Sequence, residues 1–292
     1  MGGALKPSWL SAALLGAAVV WADGPIVAAM VRRWSIDPRY SHGFLVPLFA
    51  FGLLRHRSIG RGAIPPASSR AAWGGVALLG LAAAVRWAAA RYFLPWFEGI
   101  TLLPALAGLA LVAGGWPALG RAWPSIAFLG FMVPLPHRVE VALGTPLQHA
   151  ATRGSTCVLQ MFGFPAFAEG HVIALGETRI GVVEACNGLG MLFTFTAMTT
   201  AVALVVRRPP LDRVLIVLSA APIALLANIA RISVTGLLHE TAGGHVADAV
   251  YHDLAGWLMM PLALVLLWAE VQVLSRLFVS RPGPEAEANA NA

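Results

Sequence analysis

Charge is scarce in this sequence of 292 residues. Asp, Glu, Lys and Arg make up 12%, about half of what a soluble domain carries. So little charge cannot solvate the surface of a soluble globular enzyme, and a hydrophobic fraction of 58% excludes a disordered chain. Lysine is nearly missing: Lys6 stands alone beside 19 arginines, and no basic run is long enough to form a nucleic-acid-binding tail. The formal charge of +6 therefore reads as arginine in the loops of a membrane protein. Cysteine is scarce as well. Cys157 and Cys186 are too few for a disulfide scaffold or a structural zinc site. No internal repeat is evident.

What fills the chain instead is one apolar run after another. Eight are long enough, allowing for Pro and Gly, to be read as membrane helices: 9–31, 42–54, 72–90, 93–114, 122–135, 187–206, 212–237 and 254–275. The second and fifth are short. The fold expected is thus all-α and polytopic, one integral membrane domain over 1–280 with a disordered tail at 281–292. Lys6 and the first apolar run resemble a secretory signal, but the many later spans favour an uncleaved first helix.

Arginine sets the expected orientation. With eight spans, eleven basic residues fall on one side, in the loops 55–71 and 207–213 above all, and seven on the other. Both termini are therefore expected in the cytoplasm of a bacterial inner membrane, although Arg32, Arg33 and Arg39 go against the bias. The long segment 136–186 then lies outside. Its first part, 139–162, is amphipathic and suits a membrane surface. Its second part carries two β-type runs, 171–175 and 179–183, flanking Gly176-Glu177-Thr178, which is hairpin chemistry. That hairpin delivers the chain to Cys186 at the mouth of a helix.

This topology brings three chemical groups to one depth. Cys186 opens the sixth span, Arg231 lies in the outer half of the seventh, and His252 stands at the threshold of the eighth. A helix N-terminus favours thiolate, and its main-chain N–H groups can bind an oxyanion. Gly188 and Gly190 leave room beside the thiol. Histidine can take and return a proton, and arginine can hold a thiolate, an oxyanion or a carboxylate. Plainer readings remain open: Cys186 as a small buried hydrophobe or disulfide partner of Cys157, Arg231 snorkelling to the interface, His252 facing water. Glu184 is a candidate partner of His252 or Arg231. Asn228 shares a helix face with Arg231. His42, in the polar cluster Tyr40-Ser41-His42, is a candidate supporting group, and Asp253 a helix cap. Asp23, Arg86 and Glu98 lie in apolar stretches with no partner legible in the sequence.

Three segments in order, VVEACNGLG (182–190), ANIARIS (227–233) and HDLAGW (252–257), resemble the signature blocks of the exosortase/archaeosortase family. DPRYSHGFLVP (37–47) is similar to that family's N-terminal block and FMVPLP (131–136) to its Pro-rich block, so the resemblance covers nearly the whole chain. It implies a membrane cysteine transpeptidase with Cys186 as nucleophile and Arg231 and His252 as the other essential residues. The implied substrates are proteins ending in a short motif such as Pro-Glu-Pro, a transmembrane helix and a basic tail. Asn187 stands where the family usually has Ser, which leaves the chemistry intact and the subfamily open. No metal, organic cofactor or nucleic acid is implied; membrane lipids surround the chain. Two other readings remain: a plain membrane cysteine protease, and a non-catalytic transporter or assembly protein for envelope polysaccharide.

Overall fold

The protein is described from a computed structural model covering residues 9–176, 178–182, 188–206, 208–242, 261, 264–269 and 272. Proline and polar caps set the helix boundaries. Helix α1, Trp9–Ile36, stops before Pro38. The Asp37 carboxylate then accepts the Arg39 N–H at 3.1 Å and caps a 3-10 turn, Pro38–Phe44. Helix α2 is Leu45–Ser58. It starts three residues later than the expected second span because that 3-10 turn uses up 42–44. Helix α3, Ser69–Arg91, is capped by Ser68, whose hydroxyl accepts the Ala71 N–H. Helix α4 is Pro95–Ile100 and α5 is Leu102–Phe128, followed by a 3-10 turn, Leu129–Met132.

Among the described residues, four helical stretches are long and apolar enough to cross a bilayer: Leu14–Ile36, Ser69–Arg91, Pro95–Met132 and Pro210–Ala242. The third is a hairpin. A Cβ on Gly99 would lie 2.8 Å from Val133 Cγ1, whereas a straight helix of that length would part those residues by roughly 50 Å. The break falls at Gly114 and Gly115, where Gly115 takes φ +65°, open to glycine at little cost. Each leg rises roughly 25–28 Å, near the thickness of a hydrocarbon core. The legs occupy the two segments expected separately at 93–114 and 122–135. The first leg packs on α3 through glycine: a Cβ on Gly75 would meet the Gly108 carbonyl oxygen at 2.6 Å. The second lies along α2, with Phe49 and Phe128 ring centroids 5.0 Å apart and Arg57 Nε donating to the Arg121 carbonyl at 3.3 Å.

The expected eight spans therefore appear differently. Helix α2 has 14 residues, too few for a straight crossing. Helix α7, Leu189–Val205, has 17. The segment expected at 254–275 lies largely outside the described residues; where described, 264–269 is helical and Leu267 is buried with Ala203 and Ile216. The tail 281–292 also lies outside them.

The chain forms two compact units, Met1–Leu147 with Leu189–Ala197, and Gln148–Gly188 with Met198–Ala292. In the second, a small antiparallel sheet runs in the order β1-β2-β3, from Ala166–Glu169, Val172–Leu175 and Thr178–Gly181. The β2–β3 hairpin pairs Leu175 with Thr178 and Val172 with Gly181, so Thr178, expected in the turn, belongs to β3. Strand β1 is unforeseen, because Ala166–Glu169 buries only its first residue and so shows no alternation. Gly170 (φ +64°) and Gly176 (φ +56°) make the two tight turns. Helix α6, His137–Met161, is not a bare surface helix. Its residues Ala151 and Leu159 pack with Ile173, Leu175 and Val182 of the sheet region and with Ile232. Helices α8, Pro210–Leu218, and α9, Ala220–Ala242, belong to this unit, as does α7 from Met198 on.

Candidate active site

Helix α9 is the spine of the site. It holds Asn228 almost fully buried, at 1% exposure, and Arg231 half-buried three residues on, so the two share a face. Arg231 stands 21 residues past Pro210, roughly 31 Å along the α8–α9 run, or about one hydrocarbon thickness. Beyond it the helix enters different surroundings. A Cβ on Gly236 would meet Leu159 at 3.1 Å and Ile180 at 3.5 Å, and one on Gly176 would lie 3.8 Å from the Glu240 carboxylate. The last turns of α9 thus run beside the small sheet.

The segment leading to Cys186 is held at both ends. On one side Val182 is buried at 3% exposure, donates its N–H to the His171 carbonyl at 2.8 Å and accepts from Gln148 Nε2. On the other side Gly188 caps α7 with φ +80°. A Cβ there would sit 3.0 Å from Asn228 Nδ2. Any other residue here would be strained in conformation and would crowd Asn228. Cys186, with Glu184 and Asn187, lies in 183–187, outside the described residues, as does His252.

The first unit carries a polar network around the 3-10 turn. Asp37 takes a two-point contact from Arg39, Nε to Oδ1 at 3.0 Å and Nη2 to Oδ2 at 2.7 Å, and an ion pair from Arg33 at 3.1 Å. Arg39 also reaches Glu140 at 3.5 Å and Arg33 reaches it at 3.9 Å. The Tyr40 hydroxyl donates to Glu140 and accepts the Leu135 N–H at 3.1 Å. Burial pushes Asp37 up, but the hydrogen bonds and charges of Arg39 and Arg33 outweigh it, and its carboxyl titrates below the usual value. Arg39 is raised, chiefly by its hydrogen bond to Asp37. Burial, then the bond to Glu140, raises Tyr40.

His42 is buried at 6% exposure, and that burial lowers its pKa, so the ring is neutral. Its Nε2 lies 3.2 Å from the Phe131 carbonyl, which can only accept, so Nε2 carries the proton. Nδ1 lies 3.4 Å from Thr194 Oγ1 on α7. The start of α7 is also pressed on this turn: a Cβ on Gly190 would be 3.0 Å from Arg39 Cα. Trp34 Nε1 donates to the Met132 carbonyl at 2.9 Å, tying α1 to the Pro-rich block.

The transmembrane exosortase family matches residues 34–269, most of the chain. The chain belongs to that family. No curated protein and no solved structure matches it. The matched span contains every segment on which the family resemblance rests, from the 3-10 turn to the histidine block. As an exosortase, the protein is a membrane protein.

In this exosortase the structure brings Gly188 and Asn228 together. It leaves Arg231 on the same helix face as Asn228, and it places His42 in the network of the first unit. Sequence reasoning missed Glu140, Arg33 and Arg39 as a network. Arg33 and Arg39 counted there as loop charges against the orientation bias. In the fold they pair with Asp37 and Glu140. The signal available was Glu140 itself, the first acid of the amphipathic segment, which ordinarily reads as a solvated residue. Asp23 and Arg86, unassigned in the sequence, pair at 2.7 Å, and Arg86 also donates to the Ala22 carbonyl. Cys157 is exposed on α6 and is a free cysteine.

Proposed function

We propose that the protein is a membrane-embedded cysteine transpeptidase. Its substrates are proteins whose C-terminal signal combines a short motif, a transmembrane helix and a basic tail. One observation carries the reading beyond family membership. Gly188, two residues past Cys186, is packed on Asn228, one helical turn before Arg231. On this reading the Cys186 thiol acts together with the Arg231 guanidinium on that face. The depth of Arg231, one hydrocarbon thickness along its helix, suits a scissile bond at the membrane boundary.

The chemistry assigned is acyl transfer. The Cys186 thiolate attacks the scissile carbonyl carbon, and the C–N bond breaks to leave a thioester. His252 gives its proton to the departing amine, which leaves with the transmembrane tail. Arg231 and the N-terminus of α7 hold the oxyanion of the tetrahedral intermediate. An acceptor nucleophile then gives its proton to His252 and attacks the thioester, which returns the thiolate. Asn228, held against Gly188, fixes the helix start, and neutral His42 braces α7 through Thr194 without reacting. The site faces the extracytoplasmic side of the inner membrane.

The test is co-expression with a protein bearing such a signal, followed by mass analysis of its new C-terminus. Transfer predicts a shortened chain with an added mass. A shortened chain ending in a free carboxylate would make the enzyme a protease, and an uncut chain would end the enzymatic reading.

A further inference from the structure

The first unit contains a cavity of about 590 Å³ that the proposed chemistry does not use. Its size is that of a ligand site, and its position is informative. It is lined by Arg33 near the end of α1, by Arg86 near the end of α3, by the start of the α4–α5 hairpin and by Pro134–His137 just past its far leg. Three membrane-crossing stretches, Leu14–Ile36, Ser69–Arg91 and Pro95–Met132, therefore terminate around it. A cavity at that level opens where hydrocarbon meets water, whichever side of the membrane it faces.

The lining is graded accordingly. Ile26, Ala29 and Met30 of α1 form an apolar wall. Four polar side chains join them, and they are not equivalent. Arg86 is engaged by Asp23 at 2.7 Å and by the Ala22 carbonyl. Arg33 makes contacts with Asp37 and Glu140, yet its side chain remains 47% exposed, and a guanidinium has five donors. His137 is 80% exposed, with its Nδ1 3.9 Å from the Glu140 carboxylate. Glu98 is half-buried and meets no cation among the described residues. Beside it in sequence Trp96 and Phe97 stand edge to face, centroids 5.0 Å apart. A carboxylate next to aromatic rings is chemistry that takes an ammonium. Arginine and histidine at a rim take a phosphate.

We propose that this cavity binds a phospholipid with an amine headgroup. The phosphate sits at Arg33 and His137, and the ammonium at Glu98 beside Trp96 and Phe97. The glycerol and upper acyl chain run along Ile26, Ala29 and Met30. Charge complementarity selects this occupant. An anionic glycerol headgroup would leave Glu98 facing a second negative charge, and a chain-free solute would leave the α1 wall uncovered. The site stands independently of the transpeptidase reading.

The experiment is native mass spectrometry of the purified full-length protein in detergent, titrated with phosphatidylethanolamine or phosphatidylglycerol of identical chains. The wild type should retain the ethanolamine lipid about fivefold more strongly, the worth of one partly exposed charge contact. Glu98→Gln, with an unchanged thermal midpoint, should bring the two lipids within about twofold. O-phosphoethanolamine, which has no chains, should not displace the bound lipid. Equal retention of both lipids by the wild type would overturn the proposal without any variant. So would a preference that survives Glu98→Gln, or displacement by O-phosphoethanolamine.

Discussion

Gly188 and Asn228 lie so close that a single added methyl on the glycine would stand 3.0 Å from the amide nitrogen of the asparagine. The contact fixes the chain two residues after Cys186 onto the helix that carries Arg231. Gly188→Ala must both leave φ +80° and push Asn228 aside. A left-handed alanine alone costs about 1–2 kcal/mol. We expect substrate processing to fall by at least about tenfold, while insertion into the membrane persists. Gly52→Ala, with nothing within 4 Å of the added carbon, is the control and should run near the wild-type rate. Processing rates in membranes, normalised to protein level, decide it.

The ion pair between Asp23 and Arg86 predicts non-additivity. Removing one partner of a buried pair strands the other charge and costs about 3 kcal/mol, whereas replacing both with apolar residues is close to neutral. Asp23→Leu and Arg86→Leu should each lower the thermal midpoint in detergent clearly, and the double variant should recover most of the loss. A double variant as unstable as the sum of the singles would show that the two side chains do not act as a pair.

His42 predicts a pH dependence. Burial lowers its pKa in the folded state, so the unfolded chain binds the proton first as pH falls. Stability then rises with pH in this range. The contribution of neutral His42 is complete above about pH 6.5, the ordinary histidine value. It erodes as pH falls from there toward the lower folded-state pKa. The thermal midpoint of the wild type should therefore drop more steeply below pH 6.5 than that of His42→Gln. Parallel curves for the two proteins over pH 5–8 would remove His42 from the account.

Much of this architecture is legible in the sequence because proline and glycine write it. Pro38, Pro95 and Pro210 start elements, and Gly114-Gly115 turns the hairpin. The β2–β3 hairpin is announced by Gly176 between two apolar runs. The charge pairings are not legible. Asp23 and Arg86 are 63 residues apart and Tyr40 and Glu140 are 100 apart, and no local period connects them. Glu140 sits in an amphipathic helix, where an acid ordinarily belongs to the wet face, and only the fold shows that it is buried. At the candidate site, Asn228 and Arg231 are legible as neighbours from helical spacing. The fit of Gly188 against Asn228 is not, since the two are far apart in sequence and no local period connects them.

Arg231 is assigned a two-point role, which separates charge from geometry. Lysine keeps the charge and loses the planar fork. Since the start of α7 already supplies a positive field, Arg231→Lys should be nearly as impaired as Arg231→Ala. A lysine variant above about half the wild-type rate, a barrier change under roughly 0.4 kcal/mol, would contradict the two-point role.

The nucleophile is the centre of the account, and one measurement addresses it most directly. Membranes carrying wild type, Cys186→Ala or Cys157→Ala are supplied with a protein bearing the C-terminal signal, and its cleavage is followed over time. The account predicts full-length substrate with Cys186→Ala and near wild-type processing with Cys157→Ala, whose thiol is exposed on α6. Cleavage by Cys186→Ala at close to the wild-type rate would contradict it.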